Sequence, residues 1–297
     1  MTDLSLCMVT YKARAVLEDC LESIYGQPHK VTFETILIDN DSQDGTAEMV
    51  RDKYPQVRYV QNDSNVGFQI ATNQALRMAE GRYLMWLNND TIVQPGAFDA
   101  LVAFADAHPK AGIVGPKVLN KDGTLQKQCR RGDPTPWNVL AYFSGLWRLF
   151  PRSRFWSGYL VGYSPDDETV EVDSCSGAAM MVRREVMDDV GPIDESFLYG
   201  GEDLDYCYQV RRKGWTNYYY PGARIIHLGG QGGSRRRPYR LTYEFHRSMV
   251  LYYRKNLTGR YPFPLVWLIY AGIYAHLAFA MARNLIRRDK VPGGRKP

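Results

Sequence analysis

Over the first third of the chain, apolar positions fall into short continuous runs separated by amphipathic stretches. "LSLCMVTY", "FETILIDND", "VRYVQN" and "YLMWLNND" are runs rich in strand-forming residues. Turn-forming residues bound them, so the pattern predicts strands. Between them, "ARAVLEDCLESIYGQ" carries Val16, Leu17, Leu21 and Ile24 at helical spacing, and "GTAEMVRDKY" and "GFQIATNQALRMAEG" also read as helices. Strands that alternate with helices and are apolar along nearly their whole length predict a parallel sheet covered on both faces. In such sheets ligands bind beyond the carboxyl ends of the strands. That rule singles out "WLNNDT", Trp86–Thr91, where an apolar run ends in two asparagines and an aspartate. Thr10 and the "DNDSQDG" turn beginning at Asp39 end two other predicted strands in polar groups.

The first strand-to-helix turn, "TYKARAV", has no glycine. That excludes a GxGxxG dinucleotide loop, and the chain has no GxxxxGK[ST] phosphate loop either. After Gly115 the alternation loosens, and it returns only at "VEVDSCSGAAMMVRREVM".

At 297 residues, 45% hydrophobic and 23% charged, the chain has enough apolar residues for a sizeable core. Aromatic residues make up 13%, including 21 tyrosines, which favours ring-stacking sites or a membrane interface. The net charge of +5 is concentrated in "RRG" at Arg130–Gly132, "SRRRPYR" at Ser234–Arg240 and "RNLIRRDK" at Arg283–Lys290. These read as solvated faces, or as contacts to phosphate-bearing ligands or anionic lipid. No recognition motif accompanies them, so nucleic acid is not an expected partner. Five cysteines, an odd number without CxxC spacing, point to a reducing compartment rather than a zinc site or disulfide framework. The N-terminal "MTDLSLCMVTYK" is too short and too polar for a signal peptide.

Each polar cluster also has a purely structural reading. Asp39 and its neighbours stabilise a turn by Asx chemistry. Asn65, Gly67 and Asn73 surround a helix start. Asp90, at the end of a buried strand, is poorly hydrated unless paired, and a divalent cation suits it. In "GEDLDYCYQVRRKGW", Glu202, Asp203 and Asp205 crowd a helix N-terminus that Gly214 later stops. There they complement the helix dipole, a contribution of about 0.3–1 kcal/mol each. His227 closes another apolar run, "IIH".

Taken together, "VTY", "IDNDSQDGT", "NVGF", "MWLNND", "CSGAAMMVRREV", "VGPIDESFLYGGEDLDYCYQVRRKGW" and "IIHLGGQGGS" resemble family 2 glycosyltransferases of the GT-A fold. They are most similar to the rhamnosyltransferase branch, and the likeness runs from Leu4 to Ser234. The resemblance implies an α/β nucleotide-binding mixed sheet flanked by helices, with a C-terminal hydrophobic helical appendage. It implies an inverting transfer of sugar from a nucleotide-sugar donor. Thr10 and Asp39 would hold the nucleobase, and Asn65 and Gly67 would line the sugar-nucleotide. Asn88 and Asp90 fall on the first and last positions of the family's DxD motif. Asp90 is then the motif's one carboxylate and a ligand of Mg2+ or Mn2+. His227 would bind metal or face the diphosphate, with Ser234 and Arg235 beside it; arginines there suit a diphosphate. Asp203 would be the general base, with Glu202, Asp205 and Trp137 in acceptor or supporting roles.

The expected donor is dTDP-rhamnose, and the expected acceptor a lipid-linked or polysaccharide glycan of the cell surface. Another hexosyl- or galactofuranosyltransferase of the family, or an inactive membrane-bound scaffold of a glycan assembly complex, are the alternatives. The expected organisation is a nucleotide-sugar-binding half at 1–114, an acceptor-binding and catalytic half at 115–261, and a membrane-associating helix with a basic tail at 262–297.

"FPLVWLIYAGIYAHLAFAMA", Phe263–Ala282, has no full charge. As a helix, Leu265–Ala282 extends about 27 Å, close to a hydrocarbon core of about 30 Å. The alternative is a buried packing or oligomer helix. The tail beyond it holds Arg283, Arg287, Arg288, Lys290, Arg295 and Lys296. A spanning helix would carry these charges away from a cytosolic catalytic domain, against the positive-inside tendency. The expectation is therefore a helix lying in the interface at the cytoplasmic face of the membrane. "WNVLAYFSGLWRLFPRSRFW", with Trp137, Trp147 and Trp156 among arginines, is a candidate second contact.

Overall fold

A computed structural model describes residues 2–229 and 238–286. Ser234, Arg235 and the basic tail from Arg287 onward lie outside the described residues. The chain divides into two compact units, Met1–Glu195 with Glu202–Gly233, and Ser196–Gly201 with Ser234–Pro297.

In chain order the first unit begins with β1 (Leu4–Thr10), α1 (Arg14–Tyr25), β2 (Phe33–Asp39), α2 (Thr46–Lys53), β3 (Arg58–Gln61), α3 (Phe68–Met78) and β4 (Tyr83–Leu87). It continues through β5 (Thr91–Val93), α4 (Ala97–Ala107), β6 (Ala111–Leu119), β7 (Arg130–Arg131), α5 (Pro136–Phe143) and α6 (Leu146–Leu149). It closes with β8 (Val170–Glu171), β9 (Ser174–Cys175), β10 (Ala179–Arg183), α7 (Arg184–Val190), α8 (Glu202–Arg212) and β11 (Thr216–His227).

All seven residues of β1 are buried, because helices cover both faces of the sheet. α1 meets it with Leu17, Cys20, Leu21 and Ile24, one stripe at helical spacing. Truncating Leu21 to Ala would cost about 2–5 kcal/mol, the range for a buried leucine. The sheet order is β3-β2-β1-β4-β10-β6-β11-β5, with β8 also on β11. β3, β2, β1 and β4 are parallel, as the apolar pattern predicts. β10 instead runs antiparallel between β4 and β6, and β5 and β8 run antiparallel to β11. The sheet is therefore mixed, as the GT-A resemblance implies. Apolar patterning reports burial of a strand and carries no information on its direction.

Register places the candidate chemistry at one edge. Thr10 pairs with Asp39 across β1 and β2, Leu87 with Ala179 across β4 and β10, and Thr91 with His227 across β5 and β11.

The second unit pairs α9 (Pro238–Asn256) with α10 (Phe263–Ile286). His246 Nε2 and His276 Nδ1 lie 2.8 Å apart between them, and Asn284 Nδ2 donates to Thr242 Oγ1 at 3.0 Å. At 24 residues, α10 is about 36 Å long. Among the described residues it holds the one stretch long and apolar enough to cross a membrane, Phe263–Leu285. It leaves Phe263, Trp267, Leu268, Tyr274, Phe279 and Leu285 exposed. Within the chain it is thus a largely uncovered helix rather than a buried packing element.

Candidate active site

The first group of polar residues sits where β1 and β2 end. Asp39 is 1% exposed. Its Oδ1 accepts from the Ser42 amide at 2.9 Å, and its Oδ2 from the Tyr59 hydroxyl at 2.7 Å. Burial and the Asp39 carboxylate raise the Tyr59 pKa, so the phenol remains a donor. Thr10 is buried, and its Oγ1 accepts from Asn89 Nδ2 at 2.9 Å. Asn65 is exposed and its Oδ1 caps the Gly67 amide at 3.0 Å. Gly67 precedes α3 at φ 99°, a region that favours glycine. Asn40 ties this loop to the sheet edge through Gly67 O at 3.2 Å, while its amide donates to Thr10 O at 2.9 Å. Asn73, by contrast, is a structural clamp: it exchanges hydrogen bonds with the Ile193 backbone at 2.9 and 3.0 Å.

The second group follows from the pairing of Thr91 with His227. Asp90, one residue earlier and 5% exposed, places Oδ1 3.1 Å from His227 Nε2. Asn88 Nδ2 lies 3.5 Å from the same nitrogen. On the far side of the ring, His227 Nδ1 is 2.9 Å from Gln126 Oε1. Gln126 Nε2 donates to Asn120 Oδ1 at 3.3 Å, which fixes the amide orientation. An amide oxygen only accepts, so Nδ1 donates to Gln126 and Nε2 is the nitrogen that faces Asp90. Two electron-rich atoms at this distance call for a proton or a cation between them. The carboxylate suits Mg2+ or Mn2+ when phosphate oxygens and water complete the shell, whereas the imidazole nitrogen is a softer donor than Mg2+ ordinarily takes. Among the described residues no group of three or more His, Cys, Asp or Glu is placed to hold a metal.

The third group surrounds the start of α8. Asp203 Oδ2 accepts from Arg131 Nη2 at 2.6 Å and from the Gly177 amide at 3.0 Å. Asp203 Oδ1 accepts from the Leu204 amide at 2.8 Å. The next residue, Ala178, accepts from the Asn88 amide at 2.9 Å, so one short stretch before β10 links Asp203 to the end of β4. Arg131 also donates to Cys175 O at 2.7 Å. Burial, the largest single influence, acts to lower its pKa, but the charge and hydrogen bond of Asp203, with neighbouring Tyr159 and Cys207, together hold the guanidinium above its ordinary value. Glu202 has a buried Oε2 with no hydrogen-bond partner. Burial, and then the charge of Asp203, raise its pKa to about 7.

Asp205 is buried on α8 and accepts from Gln209 at 3.4 Å, one turn along the same helix. Trp137 stands on α5 in an aromatic cluster with Phe155 and Trp156, at 4.5 and 5.0 Å. Gln126, Gly177 and Asn89 have no counterpart among the sequence-based candidates, and Arg131 enters there only as part of a charged stretch. The "RRG" stretch reads as solvated charge or a phosphate contact, whereas Arg130 and Arg131 are both buried and paired with Asp166 and Asp203.

The family model described as glycosyl transferase family 2 matches residues 5–191, and the chain belongs to that family. It is 28% identical to the N-acetylglucosaminyl-diphospho-decaprenol L-rhamnosyltransferase of Mycobacterium tuberculosis (strain ATCC 25618 / H37Rv), over 98% of this chain and 96% of the relative. Among solved structures it is similar to GalNAc-T7 with UDP, GalNAc and Mn2+, at a TM-score of 0.58 and 18% identity, covering 85% of this chain. The chain spans 50% of that GalNAc-T7 chain. Residues 1–349 of S. aureus TarS match with a TM-score of 0.56 and 16% identity, over 98% of this chain and 76% of that one. At these identities the structural likeness concerns the fold, which is GT-A.

Proposed function

We propose that the chain is an inverting, metal-dependent glycosyltransferase of cell-surface glycan synthesis. It moves L-rhamnose from dTDP-rhamnose to a lipid-linked or polysaccharide acceptor. The observation that carries this reading is the near-full-length likeness to the mycobacterial rhamnosyltransferase, over 98% of one chain and 96% of the other. The site geometry supports it.

In this reading residues 1–114 bind the donor, 115–261 hold the acceptor and the base, and 262–297 associate with the membrane. Thr10 and Asp39 bind the nucleobase, Asp39 using capacity left beside Tyr59 and Ser42. Asn65 and Gly67 shape the loop over the sugar-nucleotide, and Asn88 flanks the diphosphate. Asp90 and His227 hold Mg2+ or Mn2+, with Gln126 setting the imidazole tautomer. Bound there, the cation supplies positive charge to the departing diphosphate. Asp203 removes the proton from the acceptor hydroxyl as that oxygen attacks the anomeric carbon, and the nucleoside diphosphate leaves from the opposite face. Arg131 and Gly177 fix Asp203 Oδ2, so Oδ1 is the oxygen that takes the proton. α10 lies in the plane of the cytoplasmic leaflet, near a lipid-linked acceptor.

Thermal stability of the purified chain against a set of nucleotide sugars, with Mg2+, Mn2+ or EDTA, tests the donor. Saturation a hundredfold over Kd stabilises the folded state by about 2.7 kcal/mol. dTDP-rhamnose should raise the melting temperature most, and only with metal. A larger rise with a UDP-hexose or UDP-galactofuranose would keep the family and reassign the donor.

A further inference from the structure

Between Asp133 and Asp166 the chain has no acidic residue, yet it carries Arg148, Arg152 and Arg154 and nine aromatic side chains. So apolar a stretch would be expected to pack inward, but much of it does not. α5 buries only Ala141, and α6 buries nothing. Leu140, Phe143, Leu149, Phe150 and Phe155 are 42–71% exposed. The segment is nonetheless ordered. Thr135 caps α5, with Pro136 in its first turn. The Trp137 indole donates to Phe155 O at 2.7 Å, and Phe150 stacks on Trp156 at 5.9 Å. A cluster of exposed apolar side chains on a segment closed by such contacts marks an interaction surface.

The charge indicates what binds there. All three arginines are exposed, and Lys127 Nζ and Arg148 lie 4.7 and 5.2 Å from the Trp147 ring centre. Aromatic and aliphatic side chains interleaved with cations, without a single carboxylate, suit the headgroup region of an anionic bilayer. There the rings sit at the boundary, the arginine stems lie along it and the guanidinium groups meet lipid phosphates. We infer that Pro136–Phe155 is a membrane-docking platform of the first unit, which inserts Leu149 and Phe150 into the interface of an anionic bilayer. This does not depend on the transferase reading or on α10.

The five native cysteines are all buried, so an introduced surface cysteine can be labelled selectively. The full chain carrying Leu149→Cys with an environment-sensitive fluorophore is mixed with phosphatidylcholine–phosphatidylglycerol vesicles. Emission should shift to the blue and be quenched by brominated lipid, whereas the same label on Asp52→Cys, exposed on α2, should respond to neither. A label at Leu268→Cys reports α10 separately, so failure of the platform is distinguishable from failure of the anchor. Arg148→Gln and Arg152→Gln should each weaken binding to anionic vesicles about fivefold and leave binding to pure phosphatidylcholine unchanged. A Leu149 label that remains in water on vesicle-bound protein would overturn the inference and favour a protein partner for this surface. Failure of the full chain to bind vesicles at all would overturn it too.

Discussion

Arg131 Nη2 lies 2.6 Å from Asp203 Oδ2, and the two side chains are 10% and 13% exposed. At this depth neither charge is tolerable without the other. Removing one partner of a buried ion pair costs about 3–5 kcal/mol, because the other is left uncompensated. Arg131→Met should therefore lower stability by about that amount. Adding Asp203→Asn to it should restore most of the loss without restoring activity. Urea unfolding of the two single variants and the double variant measures this coupling. Additive losses would mean that the pair does not act as a unit.

Glu202 makes a pH-dependent contribution of the opposite kind. Its pKa rises from 4.5 to about 7, because burial and then the charge of Asp203 disfavour the anion. The folded state therefore binds this proton more tightly than the unfolded state. The resulting stability is fully present below pH 4.5 and is lost as pH rises through about 7. Glu202→Gln should gain on the wild type in relative stability as pH rises from 5 to 8. Melting temperatures of both proteins across that range check it, and parallel profiles would contradict it.

The β1–α1–β2 alternation is legible because strand and helix periods differ, and Asp90 stands out because an apolar run should not end in a carboxylate without a partner. The partners themselves are hidden by sequence distance. Arg131 meets Asp203 from 72 residues away, Gln126 meets His227 from 101, and Asn89 meets Thr10 from 79. No local spacing encodes such contacts. "RRG" looks the same whether water or Asp203 receives the guanidinium. The direction of β10 is equally silent, since "AMMVR" is buried in either orientation.

In the proposed metal site Gln126 should matter although it would not touch the cation. A residue that orients a ligand histidine is worth about 10–100-fold in metal affinity. Gln126→Ala should weaken Mn2+ binding to the donor-saturated protein by that factor, read by calorimetric titration. Asp90→Asn should abolish metal-dependent donor binding. Wild-type turnover of Asp90→Asn in Mg2+ would remove Asp90 from the metal site.

The proposed in-plane α10 makes a topological prediction. Six cations beyond Ala282 are costly to translocate and gain about 1 kcal/mol each near anionic headgroups. In sealed vesicles with the catalytic unit outside, a protease should remove a C-terminal tag without lysis. Protection until detergent is added would mean that the helix spans.

The most direct test of the central claim is transfer itself. Full-length protein is incubated with labelled dTDP-rhamnose, Mg2+ and an N-acetylglucosaminyl-diphospho-polyprenol. Label should move into the lipid extract, with Asp203→Asn slower by about 10²–10⁴-fold while still binding donor, as expected for loss of a general base. Label that stays in dTDP-rhamnose while another nucleotide sugar yields lipid product would contradict the donor assignment, and undiminished transfer by Asp203→Asn would contradict the mechanism.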